Sequence, residues 1–539
     1  MKVLRLKNLL WAILPLILFL FSLKMEQARG PFLMGNLMDP NYMYLVSSVR
    51  FSNGQSIRHT DHPGTPVQII GGFTSKILHS YRLFTEKTTI ENYEQDVTLH
   101  AENYLTAIQK VLLAINLIFL YLTGFFIWKI TKNITWAFLL QLAPFLVGAE
   151  LFESLVEVKP EPMLLGTTVF ATALFFIYFF QEKNKGYKNP ILMGIVCGLG
   201  VAVKVTFIPI LMLPIVGLQY IKEKVFFLFT VFISFIIFTL PIYSQYIRVI
   251  KWIFGIAVHS GAYGKGNANI VEPAEFLRNT FLIFVNNPFS FLLLLISVVV
   301  LVVLFLKHKS FKKMYADNWQ RWLAAIIIAH FVGLVITAKH YFSNRYFLPI
   351  QLLSSFNLLI LFCIVKQNFN FKYLKTITIA LVSIFLFISF SKLAHSLKEQ
   401  SENVEEAKKI EQLINNQYND YTIIFYVRSS SRVHALLHFL YCGGIDVSNC
   451  KQEFENNYIY NVRTKQYLDS YTYKEISWNE IMEKSAGKII FWGTPFHLGY
   501  KNFPQDKRNA RYLDYYPPNI TLKDVFNGKH ETIYEVIDK

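Results

Sequence analysis

The chain has 539 residues, of which 53% are hydrophobic and 17% charged, with a mean hydropathy of +0.34. No soluble fold of that length hides so much apolar surface, so the composition excludes an ordinary soluble enzyme and requires a bilayer as solvent. The formal net charge of +17 would suit a nucleic-acid partner, but its distribution argues otherwise, because the basic residues sit in short loops between apolar runs.

In chain order, Lys2, Arg5 and Lys7 precede an apolar run that ends near Leu23. No small-x-small cleavage site follows, so this segment reads as an uncleaved first membrane helix. Apolar runs of about bilayer-spanning length lie near 8–24, 106–128, 134–150, 163–181, 190–203, 205–221, 225–246, 287–306, 323–338, 346–365 and 376–391. The expected fold is an α-helical polytopic membrane protein with about eleven transmembrane helices and a C-terminal soluble α/β domain. The fifth and sixth runs are short and meet at Lys204.

With the N-terminus inside, every inside loop is basic. The loops carry Lys129 and Lys132, then Lys183, Lys185 and Lys188, then Lys222 and Lys224. Lys307, Lys309, Lys312, Lys313 and Arg321 follow, then Lys366, Lys372 and Lys375. That parity predicts a cytoplasmic N-terminus and places the polar loops and the tail on the outer side.

Three outer stretches stand out. The first, about 25–105, contains the amphipathic piece Val67 to Leu78, suited to the membrane interface. The second, 150–162, carries Glu153, Glu157, Lys159 and Glu161 in Glu-Leu-Phe-Glu-Ser-Leu-Val-Glu-Val-Lys-Pro-Glu-Pro. The third, about 247–286, contains His259 followed by Gly261, Gly264 and Gly266. After residue 395 the pattern changes: a charged helical stretch at Glu405 to Asn415 precedes strand-like runs at Tyr421 to Val427 and Lys488 to Trp492. Residues 396–539 therefore read as a soluble α/β domain and 1–395 as the membrane domain. Cys197 and Cys363 fall in apolar runs, while Cys442 and Cys450 are near enough in the tail for a disulfide to be open.

Acidic residues beside membrane helices are costly and mark function. Asp39 opens the first outer loop in Asp39-Pro-Asn-Tyr-Met-Tyr, and His59-Thr-Asp61-His62-Pro63-Gly64 follows. A carboxylate facing a membrane cavity can take the proton of an attacking hydroxyl. The alternatives are a helix cap at Asp39 and a plain turn at 61–66.

The layout of residues 1–390 resembles the GT-C superfamily of polytopic glycosyltransferases, especially bacterial relatives of protein mannosyltransferases and aminoarabinose transferases. Asp39 matches the acidic residue soon after helix one, and Asp61-His62-Pro63 matches a second motif leading into an amphipathic helix. Gly198 to Pro209, with Lys204, is similar to the family's small-residue helix ending in lysine. Lys339 to Pro349, with His340, Arg345 and Tyr346, is similar to its Arg-Tyr-x-x-Pro segment. Many members carry two adjacent acids in the first loop, whereas here Asp39 is followed by Pro40.

The resemblance implies an inverting transfer of sugar from a polyprenyl-phosphate donor to a hydroxyl of a glycan, lipid or protein acceptor. Asp39 would be the base, with Arg345 as the leading phosphate ligand and Asp61, His62, His340 and Lys204 as further substrate contacts. It also implies a bacterial cytoplasmic membrane.

The remaining candidates rest on the residues alone. Glu153 and Glu157, four apart, would share a helix face and bind a sugar, an amino group or a cation, or else pair with Lys159 in a solvated loop. Lys204 is either a buried cation between two short helices or part of a turn. His259 and its glycines suit a lid. No cofactor is required, a divalent cation stays open, and no GxxxxGK[ST], HExxH, CxxC or GxSxG occurs. The competing classes are a lipid or polysaccharide flippase or transporter, and a non-catalytic assembly protein whose tail carries function.

Overall fold

The computed structural model describes residues 9–34, 38–61, 63–180, 186–259, 268–269, 271–339, 343–369, 371–426, 429–461, 464, 466–493 and 520–537. His62, His340 and the glycines at 261, 264 and 266 lie outside the described residues, as does the side chain of Asp39.

Among the described residues, eight helices are long and apolar enough to cross a membrane. They are Leu10–Arg29, Ala101–Thr131, Glu161–Phe180, Ile221–Val258, Pro288–His308, Asn318–Lys339, Asn344–Asn368 and Leu374–Gln417. Each covers all or nearly all of one of the eleven runs expected from the sequence. The other three runs are helical but shorter, for local reasons. The 134–150 run breaks into Ile134–Gln141 and Ala143–Val147, with Pro144 at the second start and Gly148 at φ 98° ending it. The 190–221 pair becomes Lys188–Val203 and a 3-10 then α stretch, Val205–Gly217, because Lys204 between them is extended (φ −161°, ψ 136°). At 1.5 Å per residue, the 16 residues of Lys188–Val203 reach about 24 Å, short of the ~30 Å hydrocarbon core. The Ile221–Val258 stretch bends at Pro241, where Ile242 leaves helical geometry (φ −109°, ψ 17°).

The chain forms two compact units. The first gathers Met1–Leu23, Thr60–Val67 and Gln109–His395, and the second Lys24–His59, Gln68–Ile108 and Ser396–Lys539. The second thus joins the tail to most of the first loop, a grouping that the sequence, divided only at 395/396, did not suggest.

In the second unit, the described tail carries a seven-stranded sheet. Its strands are β1 (Thr422–Tyr426), β2 (Asn457–Asn461), β3 (Gln466–Asp469), β4 (Glu475–Ile476), β5 (Ile489–Gly493), β6 (Leu522–Asn527) and β7 (Thr532–Val536). The order is β4-β3-β2-β1-β5-β7-β6, with β1 parallel to both neighbours and the outer pairings antiparallel. Alternate residues Ile424 and Tyr426, Tyr458 and Tyr460, Ile489 and Phe491, and Tyr534 and Val536 form one buried face. Phe425 and Trp492, 5.6 Å apart between ring centres, lie on the other. Burial on both faces explains why β1 and β5 read as continuous apolar runs. No disulfide joins Cys442 to Cys450.

The first loop supplies Met38–Ser52, Tyr93–Leu99 and most of Thr65–Phe84 to this unit. Met38–Ser52 packs against the His438–Gly443 turn of the tail: Arg50 Nη1 donates to the Gly443 carbonyl at 2.6 Å, and the Tyr42 and Phe439 rings meet edge-on. A Cβ built on Gly443 would lie 2.4 Å from Val46 Cγ1. Gly443→Val is therefore expected to prise the two elements apart at about 1–3 kcal/mol, read as a lower melting temperature and faster proteolytic release of the tail.

Asp96, on Tyr93–Leu99, is fully buried. It accepts from Arg82 Nε and Nη2 at 3.1 and 3.2 Å and from Thr88 at 2.9 Å, with His79 Nδ1 at 3.2 Å and the Tyr104 hydroxyl also bonded to it. Burial alone raises the carboxyl, but the bonds from Tyr104, Arg82, His79 and Thr88 outweigh it and bring it from 3.8 to about 2. A carboxylate with a lowered folded value adds stability that is complete above its unfolded value and disappears as pH falls from 3.8 through about 2. Asp96→Ala strands Arg82 in the interior and is expected to cost about 3–5 kcal/mol near neutral pH. In melts repeated at decreasing pH, the gap from wild type should narrow only below the unfolded value.

The Thr65–Phe84 helix leaves Phe73, Ile77, Tyr81 and Phe84 exposed, from 51% at Tyr81 to 88% at Phe84. Their spacing of four, four and three puts them on one stripe, extending the amphipathic piece seen in the sequence to Phe84.

Candidate functional site

In the first unit, a charged cluster is buried where several helices end. Glu161 is the first residue of Glu161–Phe180, after Lys159-Pro160, and points its carboxylate at the break between the two short helices. Lys204, at that break, donates from Nζ to Glu161 Oε1 at 2.5 Å and lies 4.4 Å from the centre of the Tyr346 ring. Arg345 brings Nε to 3.6 Å from the same oxygen, an ion pair beyond hydrogen-bond length. Lys159 pairs with Glu157 alongside. Lys204 is only 2% exposed, whereas the Arg345 side chain is 30% exposed, so Arg345 is the member an incoming anion can reach.

The extended Lys204 backbone makes this geometry. Had Lys188–Val203 run on as one helix, residue 204 would have stayed in its spiral. Instead the break frees the side chain to reach Glu161 across the bundle. The short 3-10 turn Asn344–Phe347 does the same for Arg345. The cluster continues through Asn344, which donates to Glu150 at 2.8 Å, and Asn287, which donates to Asn344 at 2.6 Å. Gln351 also donates to Asn287.

Of the expected residues, Lys204, Arg345 and Glu157 thus belong to one neighbourhood, reached from three separate loops. Lys204 is a buried cation at the break between two short helices, as the first of its two readings had it. Glu153 and Glu157 do not share a helix: Ala149–Leu155 stops two residues before Glu157. Glu157 does pair with Lys159, as the plainer alternative held, but the pair is buried rather than solvated. Glu153 is half-buried on the helix. Asp61 is half-buried just before Thr65–Phe84. Asp39 is the second residue of Met38–Ser52, in the second unit. His259 ends Tyr246–Val258 and forms an isolated antiparallel bridge with Ala268.

The sequence passed over two residues. Glu161 appeared only as one acid among several, yet it is the hub; an acid at the first position of an apolar helix, between two prolines, was the available signal. Glu150 and its amide partners carried none, since the contact joins residues 194 apart.

No protein-family model and no curated protein matches the chain. Among the described residues no three His, Cys, Asp or Glu side chains converge as metal ligands. What the cluster offers chemically is paired charge in low dielectric, with the cation Arg345 at its exposed edge. Lys159, Lys204 and Arg345 stand against Glu157 and Glu161, with Glu150 linked through an amide. An arrangement of that kind suits a phosphate or another oxyanion.

Proposed function

We propose that the protein is a GT-C-type glycosyltransferase that moves a sugar from a polyprenyl-phosphate donor to an acceptor hydroxyl at the outer face of a bacterial cytoplasmic membrane. In this reading all eleven apolar runs cross the bilayer, the shorter ones where it thins locally to meet them, the N-terminus is cytoplasmic, and residues 396–539 lie outside. The observation that carries it is the buried Glu161–Lys204–Arg345 cluster, with its most exposed cation at the edge. Such a cluster inside an apolar unit is costly and is retained for an anionic partner.

The reaction is a single displacement. Asp39 takes the proton of the acceptor hydroxyl. The acceptor oxygen bonds to the anomeric carbon from the face opposite the phosphate, so the configuration inverts. The bond from that carbon to the phosphate oxygen breaks, and polyprenyl phosphate leaves with the electron pair. Arg345, backed by Lys204, stabilises the charge gathering on that phosphate, while Glu161 holds both cations in place. Asp61, His62, His340, Glu153, Glu157 and His259 contact sugar, lipid or acceptor in this reading. The exposed stripe of Thr65–Phe84 rests in the membrane interface.

The test is sugar transfer by purified protein from a panel of polyprenyl-phosphate sugars, with wild type and Asp39→Asn compared at equal membrane levels. A flippase would instead move lipid in vesicles without any sugar acceptor. An assembly protein would tolerate Asp39→Asn and lose function with residues 400–539.

A further inference from the structure

We propose that the first unit holds a bilayer phospholipid of negative charge in a groove remote from the Glu161 cluster. The groove lies among Ala101–Thr131, Glu161–Phe180 and Lys188–Val203, at the end of the bundle marked by Phe180. Glu161 and Phe180 are opposite ends of one 20-residue helix, which puts roughly 28 Å between the two places. The groove is therefore a separate site, and its argument does not depend on the proposed transfer reaction.

Its size and lining select the occupant. The volume is about 1850 Å³, above the ~300–1,000 Å³ typical of small-molecule pockets. The walls include Phe126, Phe170, Leu174 and Leu192, all on helices apolar in composition. A water-soluble anion would leave those walls uncovered, whereas acyl chains cover them. The rim carries basic and polar residues: Lys129 closes one helix, and Lys188 and Asn189 open another. Both lysines are exposed, so their charges are available to a headgroup. Asp317 is the opposing acid on the rim. Among the described residues the rim sets two ammonium groups, Lys129 and Lys188, against one carboxylate, Asp317, and above hydrocarbon walls these match an anionic headgroup on two acyl chains. A zwitterionic lipid fits the walls equally well but gains less at the rim.

Native mass spectrometry of the full chain, titrated with phosphatidylglycerol or phosphatidylcholine, tests this. Wild type should bind phosphatidylglycerol about tenfold or more tightly than phosphatidylcholine. The double variant Lys129→Glu, Lys188→Glu should lose that preference, since both changes are on the surface and leave the fold intact. Leu192→Trp should fill the apolar part and weaken both lipids alike. Equal affinity of wild type for the two lipids would overturn the proposal, as would a preference that survives the double charge reversal.

Discussion

Asp39→Asn is expected to lower sugar transfer about 10²–10⁴-fold, the range over which a positioned general base contributes, while membrane level and melting temperature stay near wild type. The amide has nearly the carboxylate's shape but cannot take a proton at neutral pH. Asparagine is also tolerated at a helix N-terminus, where Met38–Ser52 begins. A structural role for Asp39 would therefore show as lost protein, and a catalytic role as lost turnover in intact protein. Activity that persists moves the base to Asp61 or to the acids between 150 and 161. Absence of transfer by wild type from every donor leaves a missing acceptor or a non-enzyme, and lipid movement in the vesicle assay would then identify a flippase.

Glu161→Gln should have the largest effect on the first unit. It leaves Lys204 buried with no counter-charge in contact and removes the anion that Arg345 faces. Deleting one partner of a buried pair costs about 3–5 kcal/mol, much of it the penalty of the charge left behind. The expected readout is low yield and a melting temperature well below wild type. Adding Lys204→Met should restore much of the loss, because a buried pair replaced by apolar groups is often neutral. If the cluster also binds the donor phosphate, the rescued double variant will fold well yet need far more donor for half-maximal rate. Rescue of both stability and donor affinity would leave the cluster a purely architectural device.

Local composition and order determined a good deal about this protein. Each apolar run became helix, since removing about twenty apolar residues from water is decided within the segment. The breaks were local too: Pro144 and Gly148 divide one run, and Lys204 divides another. The strands at 421–427 and 488–492 were legible because both faces of β1 and β5 are buried, leaving a continuous apolar run between polar flanks.

What the tertiary structure alone decided is which polar residues meet. Glu161 and Lys204 are 43 residues apart, and Arg345 comes from a later helix still. Their convergence depends on how helices pack and where each ends, and neither leaves a period in the sequence. The same holds for the union of the first loop with the tail, in which Arg50 meets Gly443 across 393 residues. Hydropathy is a property of a segment and can be read along the chain. Pairing of buried charges is a property of several segments at once, because each charge is tolerated only where another element supplies its partner.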